Sequence, residues 1–292
     1  MDNILSFEQK PAHDPWNMKG SRVDMNIVTR DLPHFYNNKA VYEVDEYGNI
    51  IRGLGLPGRN YPVTPHTEFF RHQQSLFEKK FPAAHLENIK VSYRTSRGGA
   101  WALMDVVFKD IKYPIESLKH TTEVCLRGVG WHSVDASTSN NFVFGGFEAF
   151  CTNMQIGGKY EHVKKKNTKN FDMRKFIDEI EKSVEEFYVT ARKYQAWAAR
   201  DIFYQDAENV IESLPIAKRN KPQLLNIYEQ EVMDRGSNLW ALYSAFTNYS
   251  SHTDNGFPIR QTGGDHQAET MLKREFSVVS WLDNEEFVRL AA

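Results

Sequence analysis

The sequence of 292 residues contains only two cysteines, Cys125 and Cys151, and no CxxC pair. A disulfide-stapled scaffold needs several cysteines, and a structural zinc site needs cysteine and histidine ligands at fixed spacings. The composition therefore disfavours both classes of protein and favours a reducing, cytosolic environment.

Long hydrophobic runs are also missing. The N-terminal stretch MDNILSFEQKPAHDPW lacks a basic region followed by an apolar segment. No run elsewhere approaches the roughly 20 apolar residues that cross a bilayer. The sequence predicts a cytoplasmic protein that is neither secreted nor inserted in a membrane.

Charge of one sign is not in excess over the whole chain. Lysine and arginine number 36 and the acidic residues 38, which gives a net charge of −2. This balance argues against a protein that coats nucleic acid with its entire surface. Any site for a polyanion must be local.

Recognisable catalytic motifs are scarce. Residues 53–61 (GLGLPGRNY) lack both the GxGxxG spacing and the GKS or GKT ending, so we interpret them as a turn-rich connection. His132, Ser133 and Asp135 are the residue types of a catalytic triad. They are, however, close neighbours in one polar loop without a nucleophile elbow. We predict no catalytic residues here.

Metal-ligand patterns are missing too. A magnesium site needs clustered carboxylates, but four carboxylates lie apart from one another in segments with a strand-like pattern: Asp105, Asp110, Glu116 and Glu123. A late loop holds two histidines and two aspartates without a fixed ligand spacing: His252, Asp254, Asp265 and His266. We predict no metal site and no cofactor, and we expect a protein that is not an enzyme.

The period of the apolar residues predicts an α+β fold. The N-terminal half shows short β-rich runs separated by turn signals, such as Gly48-Asn49, and predicts a mainly antiparallel sheet. One strand, residues 142–153, contains Gly145-Gly146 and is predicted to carry a bulge.

The C-terminal half is predicted to be helical. Apolar residues recur at helical spacing from residue 171 to about 203 and indicate one long helix. A later apolar helix is predicted to be buried, with Ser237 as its N-cap. The predicted organisation is one compact unit with an N-terminal arm (1–20), a β-rich lobe with a basic loop (21–169) and a helical lobe (170–292).

The main functional signal is a local reversal of charge in residues 159–175. This stretch holds seven cations and two anions, a net charge of +5, so the rest of the chain carries −7. A cationic segment with an aromatic side chain for stacking is typical of a site for unpaired nucleic acid. The predicted contacts are Lys159, Tyr160, Lys164, Lys165, Lys166, Lys169, Arg174 and Lys175.

Two further groups are weaker candidates for nucleic-acid contacts. Arg94 and Arg97 lie near the tip of a predicted hairpin, where we favour simple exposure to solvent over phosphate binding. Trp131 is an aromatic residue that could stack on a base. A second basic cluster lies in a short loop before a helix: Lys218, Arg219 and Lys221.

Short motifs give the chain a family resemblance. A strand ends in Cys151-Thr152-Asn153, and residues 239–249 read LWALYSAFTNY. Both features resemble the phage- and plasmid-encoded proteins that are grouped as a domain of unknown function. In the loop before this strand, the family carries a Ser-His-Asp-Gly-like sequence, and residues 131–135 (WHSVD) differ from it.

The size and layout are also similar to the single-stranded-DNA-binding RNA polymerase cofactors of N-four-like podoviruses. That resemblance implies unpaired DNA and a phage RNA polymerase as partners, in the cytoplasm of a bacterial host.

We therefore expect a phage protein that binds single-stranded DNA without sequence preference. It would support transcription or replication as a polymerase cofactor and self-associate through its termini. One alternative is a phage structural or assembly protein, in which the basic stretch is only a solvated loop. A nucleic-acid-processing enzyme is a weaker alternative.

Overall fold

The computed structural model describes residues 14–32, 37–119, 121–148, 154–155, 163–165, 173–252 and 266–292. For residues 154–155, 163–165 and 173–181 it describes the backbone alone. Predictions that concern the arm at residues 1–13 lie outside the described residues.

The first sheet contains three antiparallel strands in the order β1-β2-β3. They are β1 (Asn26–Asp31), β2 (Lys39–Val44) and β3 (Ile50–Gly55). Gly48 in the turn between β2 and β3 has a φ of +82°, a conformation that glycine reaches without a Cβ clash. The hairpin predicted at Gly48-Asn49 is confirmed.

The second sheet has six strands and forms the centre of the N-terminal half. They are β4 (Ile89–Ser96), β5 (Trp101–Glu116), β6 (Thr121–Ser133), β7 (Asn140–Glu148), β8 (Met154–Gln155) and β9 (Val163–Lys165). Strands β4 to β7 pair antiparallel in chain order. Both short strands pair with β7, β8 near its C-terminal end and β9 near its N-terminal end.

The bulge predicted at Gly145-Gly146 is wrong. These two glycines pair with Arg127 and Leu126 in an unbroken register, and both are buried. The register instead shifts in β5, between Phe108 and Lys112.

Helices make up the described part of the C-terminal half, which confirms the α+β prediction. Two helices precede β4: α1 (His66–Lys80) and α2 (Ala83–Glu87). The later helices are α3 (Met173–Ala198), α4 (Tyr204–Ser213), α5 (Lys221–Arg235), α6 (Leu239–Ser251), α7 (Gln267–Trp281) and α8 (Glu285–Ala291).

The single helix predicted to run to residue 203 ends earlier, at Ala198. The segment after it bonds to the α5–α6 connection instead of continuing the helix. Ile202 donates its backbone N–H to the carbonyl of Ser237 at 3.0 Å, and Arg200 accepts from the N–H of Leu239 at 3.0 Å. These tertiary bonds replace the helical ones, and Phe203 becomes the N-cap residue of α4.

One large apolar core includes residues of the six-stranded sheet and of the helices on both sides of it in the sequence. Phe77 of α1 packs near the sheet, with its ring centroid 5.7 Å from that of Phe108 and 5.4 Å from that of Phe142. Burying one such ring fully contributes roughly 2–3 kcal/mol. The predicted burial of α6 is confirmed, since Trp240 and Tyr243 are fully buried.

None of the helices within the described residues combines the length and the apolar character needed to cross a membrane.

Candidate nucleic-acid interface

Strand β9 carries the two lysines of the basic stretch that the structure places in a sheet. Lys164 pairs with Asn141 and Lys165 with Asn140 at the N-terminal end of β7. On its other side β7 pairs with β6, so β9 runs along an edge of the six-stranded sheet. Lysine on an edge strand also hinders edge-to-edge pairing of sheets, which is a structural role for the same residues.

The other candidates of residues 159–175 are described in part or not at all. Arg174 and Lys175 lie in the first turn of α3, where the backbone alone is described. Four predicted contacts lie outside the described residues: Lys159, Tyr160, Lys166 and Lys169.

Arg97 lies at the tip of the β4–β5 hairpin, as predicted, but its guanidinium group is occupied. It donates two hydrogen bonds to the carboxylate of Glu269 in α7, at 2.7 and 2.6 Å, and lies 4.0 Å from a carboxylate oxygen of Asp135. The hydrogen bonds that Arg97 donates to Glu269 raise the pKa of Arg97. A phosphate would have to compete with two carboxylates for this side chain.

Arg94 belongs to a buried charge cluster between the sheet and α7. Its Nη2 lies 3.0 Å from Oδ2 of Asp105, and the same carboxylate accepts two hydrogen bonds from Arg127 at 2.8 and 2.7 Å. Arg127 also donates to Glu275 of α7 at 2.6 Å. Burial raises the pKa of Asp105, but the two arginines outweigh burial and lower it. This cluster ties α7 to the sheet and leaves Arg94 partly buried.

Trp131 is in the interior rather than on a binding surface. Its exposed fraction is 6%, and its ring centroid lies 5.7 Å from that of Phe276 in α7. The stacking role predicted for Trp131 therefore conflicts with the structure, because a base cannot reach the ring without displacing α7.

The second basic cluster begins at the 3₁₀ turn Lys218–Asn220 and continues into α5. Lys218 and Arg219 are exposed and form no ion pair with a residue that the structure describes. Lys221 lies 3.3 Å from the carboxylate of Glu212 and is already neutralised. The structure therefore leaves Lys218 and Arg219 as the accessible members of this cluster.

A buried pair of histidines is the feature that sequence reasoning missed. Nδ1 of His66 lies 2.8 Å from Nε2 of His132, and Nε2 of His66 lies 2.7 Å from the carbonyl oxygen of Gly99. Burial lowers the pKa of His66 to about 4 and that of His132 well below its ordinary value. Nothing in the one-dimensional pattern links residues that are 66 positions apart.

His132 and Ser133 are the last residues of β6 rather than part of the predicted loop, and with Asp135 they show no triad geometry within the described residues. His132 contacts His66, the Ser133 hydroxyl donates to the carbonyl of Thr138 at 3.2 Å, and Asp135 accepts from the N–H of Ser137 at 2.9 Å. Each side chain therefore has a structural partner of its own.

No group of three or more histidine, cysteine, aspartate or glutamate side chains with metal-ligand geometry occurs among the described residues. Of the late polar loop, His252 and His266 are described, and residues 253–265 lie outside the described residues.

A comparison with protein families gives one match. The family described as Domain of unknown function (DUF932) matches residues 53–275. No curated protein and no solved structure matches the chain. The match runs from β3 into α7 and includes β9, the hairpin tip and the 3₁₀ turn. Because it spans well over half of the 292 residues, the chain belongs to the DUF932 family.

Proposed function

We propose that the protein binds single-stranded DNA without sequence preference, with β9 and the basic residues around it as the contact. The observation that carries the proposal is the register of β9, in which Lys164 and Lys165 are consecutive residues of a strand at the edge of the sheet. Cations along a backbone groove, with aromatic side chains for stacking, bind unpaired strands with little dependence on sequence, and Tyr160 of the same basic stretch is the predicted stacking residue.

Three of the other candidate cations are already paired within the chain, which supports β9 over the hairpin tip, whereas Lys218 and Arg219 form no ion pair with a described residue. Arg94, Arg97 and Lys221 each lie within 3.3 Å of a carboxylate oxygen of the chain itself. The net charge of +5 in residues 159–175 contrasts with −7 for the remainder. A polyanion is therefore drawn to the part of the chain that contains β9.

We further propose that binding supports phage transcription or replication, with a phage RNA polymerase as partner, in the cytoplasm of the bacterial host. The support is the sequence resemblance to podovirus polymerase cofactors. In this role the protein acts by binding and needs neither a catalytic residue nor a cofactor.

The test is binding of labelled single-stranded and double-stranded DNA over a series of salt concentrations. We expect wild type to prefer the single strand. The double variant K164E/K165E should bind at least tenfold more weakly. Its plot of log affinity against log salt should be shallower by about 1.4, because each neutralised phosphate of a single strand contributes about 0.7.

The matched control is K90E/K109E, which makes the same change of charge on β4 and β5. Lys90 and Lys109 are both exposed, and β4 is the opposite edge strand of the same sheet. The control should bind DNA nearly as wild type does. Equal losses in both variants would show a diffuse charge effect and refute the site. Absence of any single-strand preference in wild type would refute the function and favour the assembly alternative.

A further inference from the structure

A groove lies beside the second basic cluster, in the helical half of the chain. It is bounded by the segment that precedes α5 and by the C-terminal parts of α6 and α7, and its volume is about 260 Å³. Sites for drug-sized ligands occupy roughly 300–1,000 Å³, so this groove suits a smaller unit. We call it the α5–α7 groove, and its walls include Pro215, Ile216, Asn220, Tyr249, Ser277 and Ser280.

The wall formed by α6 and α7 is aromatic and held in place. The ring centroid of Tyr249 lies 5.2 Å from that of Trp281, which also lines the groove and is buried. The guanidinium carbon of Arg274 lies 5.0 Å from the Tyr249 centroid. Because these contacts fix the Tyr249 ring before anything binds, a ligand that packs against this wall loses little further conformational entropy.

The groove also holds polar groups with unused hydrogen-bonding capacity. Asn220 is the N-cap of α5, yet its half-buried amide makes no capping bond and no hydrogen bond to another residue that the structure describes. The Ser277 hydroxyl donates to the carbonyl of Lys273 at 3.0 Å, and that of Ser280 to the carbonyl of Ser277 at 2.6 Å. The two serine oxygens are thus left as acceptors, whereas the amide can both donate and accept. Donors and acceptors of this kind match the edge of a nucleobase.

Two cations stand at the edge of the groove. Lys218 and Arg219 lie in the chain between Ala217 and Asn220, which both line it. Both cations are exposed, and neither forms an ion pair within the part of the chain that the structure describes. Adjacent lysine and arginine side chains without a carboxylate partner attract an anion, and a phosphate group satisfies several of their donors at once. The charge at this edge therefore selects a ligand that carries phosphate.

Phosphate-binding cations, a free amide and a fixed aromatic wall occur together around a space of small volume. We propose that the α5–α7 groove binds one nucleotide of the single strand, with the phosphate at Lys218 and Arg219 and the edge of the base at Asn220. The apolar faces of the base and sugar pack against the wall that contains Tyr249.

This inference rests on the proposed function and adds a second contact to it. The first contact, β9, belongs to the six-stranded sheet, whereas the groove belongs to the helices, so one bound strand touches both halves of the chain. A single nucleotide is a ligand of the groove alone, and a long strand is a ligand of both contacts. The two kinds of probe therefore separate the groove from β9.

The first test is calorimetric titration of the full chain with deoxyadenosine monophosphate, whose base carries an amino group for the serine oxygens. Wild type should bind it saturably, and should bind deoxyadenosine, which lacks the phosphate, more weakly. K218E/R219E should weaken binding of the monophosphate by about tenfold or more, because two anions replace the two cations that hold the phosphate. The matched control K90E/K109E should bind it as wild type does.

The second test fills the groove without a change of charge. Ser280 is exposed on α7, so S280F should keep the thermal midpoint of wild type and lose binding of the monophosphate. The matched control is Q230F, at an exposed position of α5 that does not line the groove.

The last comparison uses the same variants with a long single strand. K218E/R219E should weaken binding of both probes, and K164E/K165E should weaken binding of the strand alone. Absence of monophosphate binding by wild type at millimolar concentrations, or groove variants that bind as their controls do, overturns the groove. Loss of the monophosphate in K218E/R219E with unchanged affinity for the strand overturns its place on the strand. A wild type that binds the monophosphate but no single strand refutes the proposed function and supports the groove as a nucleotide site.

Discussion

At the scale of single residues, the contacts of His66 and His132 determine their protonation. The carbonyl of Gly99 can only accept, so Nε2 of His66 carries its proton and Nδ1 is left as an acceptor. His132 then donates from Nε2 to that Nδ1. Both rings are neutral, and Nδ1 of the buried His132 has no hydrogen-bond partner among the residues that the structure describes.

This arrangement predicts a loss of stability in mild acid. The folded-state pKa of His66 is about 4, against 6.5 for the free side chain, so the unfolded chain binds more protons between these values. The free energy of unfolding must therefore fall as the pH drops from 6.5 towards 4, by up to about 1.4 kcal/mol per pH unit for each histidine.

The H132Q variant isolates the contribution of one ring, because a glutamine amide can still donate to His66 but does not titrate. Urea denaturation at several pH values should show a shallower dependence on pH for H132Q than for wild type over this window. Parallel dependences would contradict the assignment, whatever the absolute stability of the variant.

Residue types alone did not separate candidate ligands from internal partners. Arg94, Arg97 and Trp131 have side chains of the types that contact nucleic acid. The sequence could not show that each contacts a residue of the chain itself: Asp105, Glu269 and Phe276, respectively. Glu269 is 172 residues from Arg97, so no local spacing reports the pair. The accessibility of a side chain depends on the whole fold.

At the scale of elements, an ion pair connects the tip of the β4–β5 hairpin to α7. Arg97 has a φ of +56°, a left-handed conformation that costs a residue with a Cβ about 1 kcal/mol. Its two hydrogen bonds to Glu269 offset this cost. Glu269 is in the first turn of α7, where a negative charge also interacts favourably with the helix dipole.

A double-mutant cycle with R97A and E269A should give a coupling of about 1–2 kcal/mol in urea denaturation, because the pair is partly buried and bidentate. R97G should be more stable than R97A by roughly 1 kcal/mol, since glycine relieves the left-handed strain. A coupling near zero, or equal stabilities of R97A and R97G, would show that the Arg97–Glu269 ion pair does not stabilise the hairpin tip.

The stabilisation by the Arg97–Glu269 ion pair should decrease in acid. The hydrogen bonds from Arg97 and Lys273 hold the pKa of Glu269 at about 2. A depressed folded-state pKa contributes stability above 4.5 that is lost as the pH falls towards 2. The coupling in the cycle should therefore be smaller at pH 2 than at pH 7, which denaturation at the two pH values can measure.

The elements themselves were largely predictable, and their ends were not. Alternating and helical periods located the hairpins and the later helices, because these periods follow directly from which face is buried. The N-cap of α6 is Asn238, whose side chain accepts from the N–H of Ala241 at 2.9 Å, rather than Ser237. Ser237 instead donates to the carbonyl of Ile202 at 3.0 Å. Competition between local and tertiary bonds therefore decided this helix end.

At the scale of the whole molecule, the largest core includes sheet residues such as Phe108 and Phe142 and helix residues such as Trp240 and Trp281. If one core stabilises both halves, they should unfold together. We expect urea transitions followed by tryptophan fluorescence and by far-ultraviolet circular dichroism to coincide. Two separated transitions would show that the predicted β-rich and helical lobes are independent.

The sequence by itself determined the α+β class, the strand and helix periods, the burial of α6 and the local excess of positive charge. These properties are local or compositional, and a single chain segment is enough to express them. Tertiary structure alone decided which cations are neutralised by carboxylates, where the helix before Phe203 ends and which apolar side chains remain exposed. These properties depend on contacts between residues far apart in the chain, whose energies exist only once the fold brings the partners together.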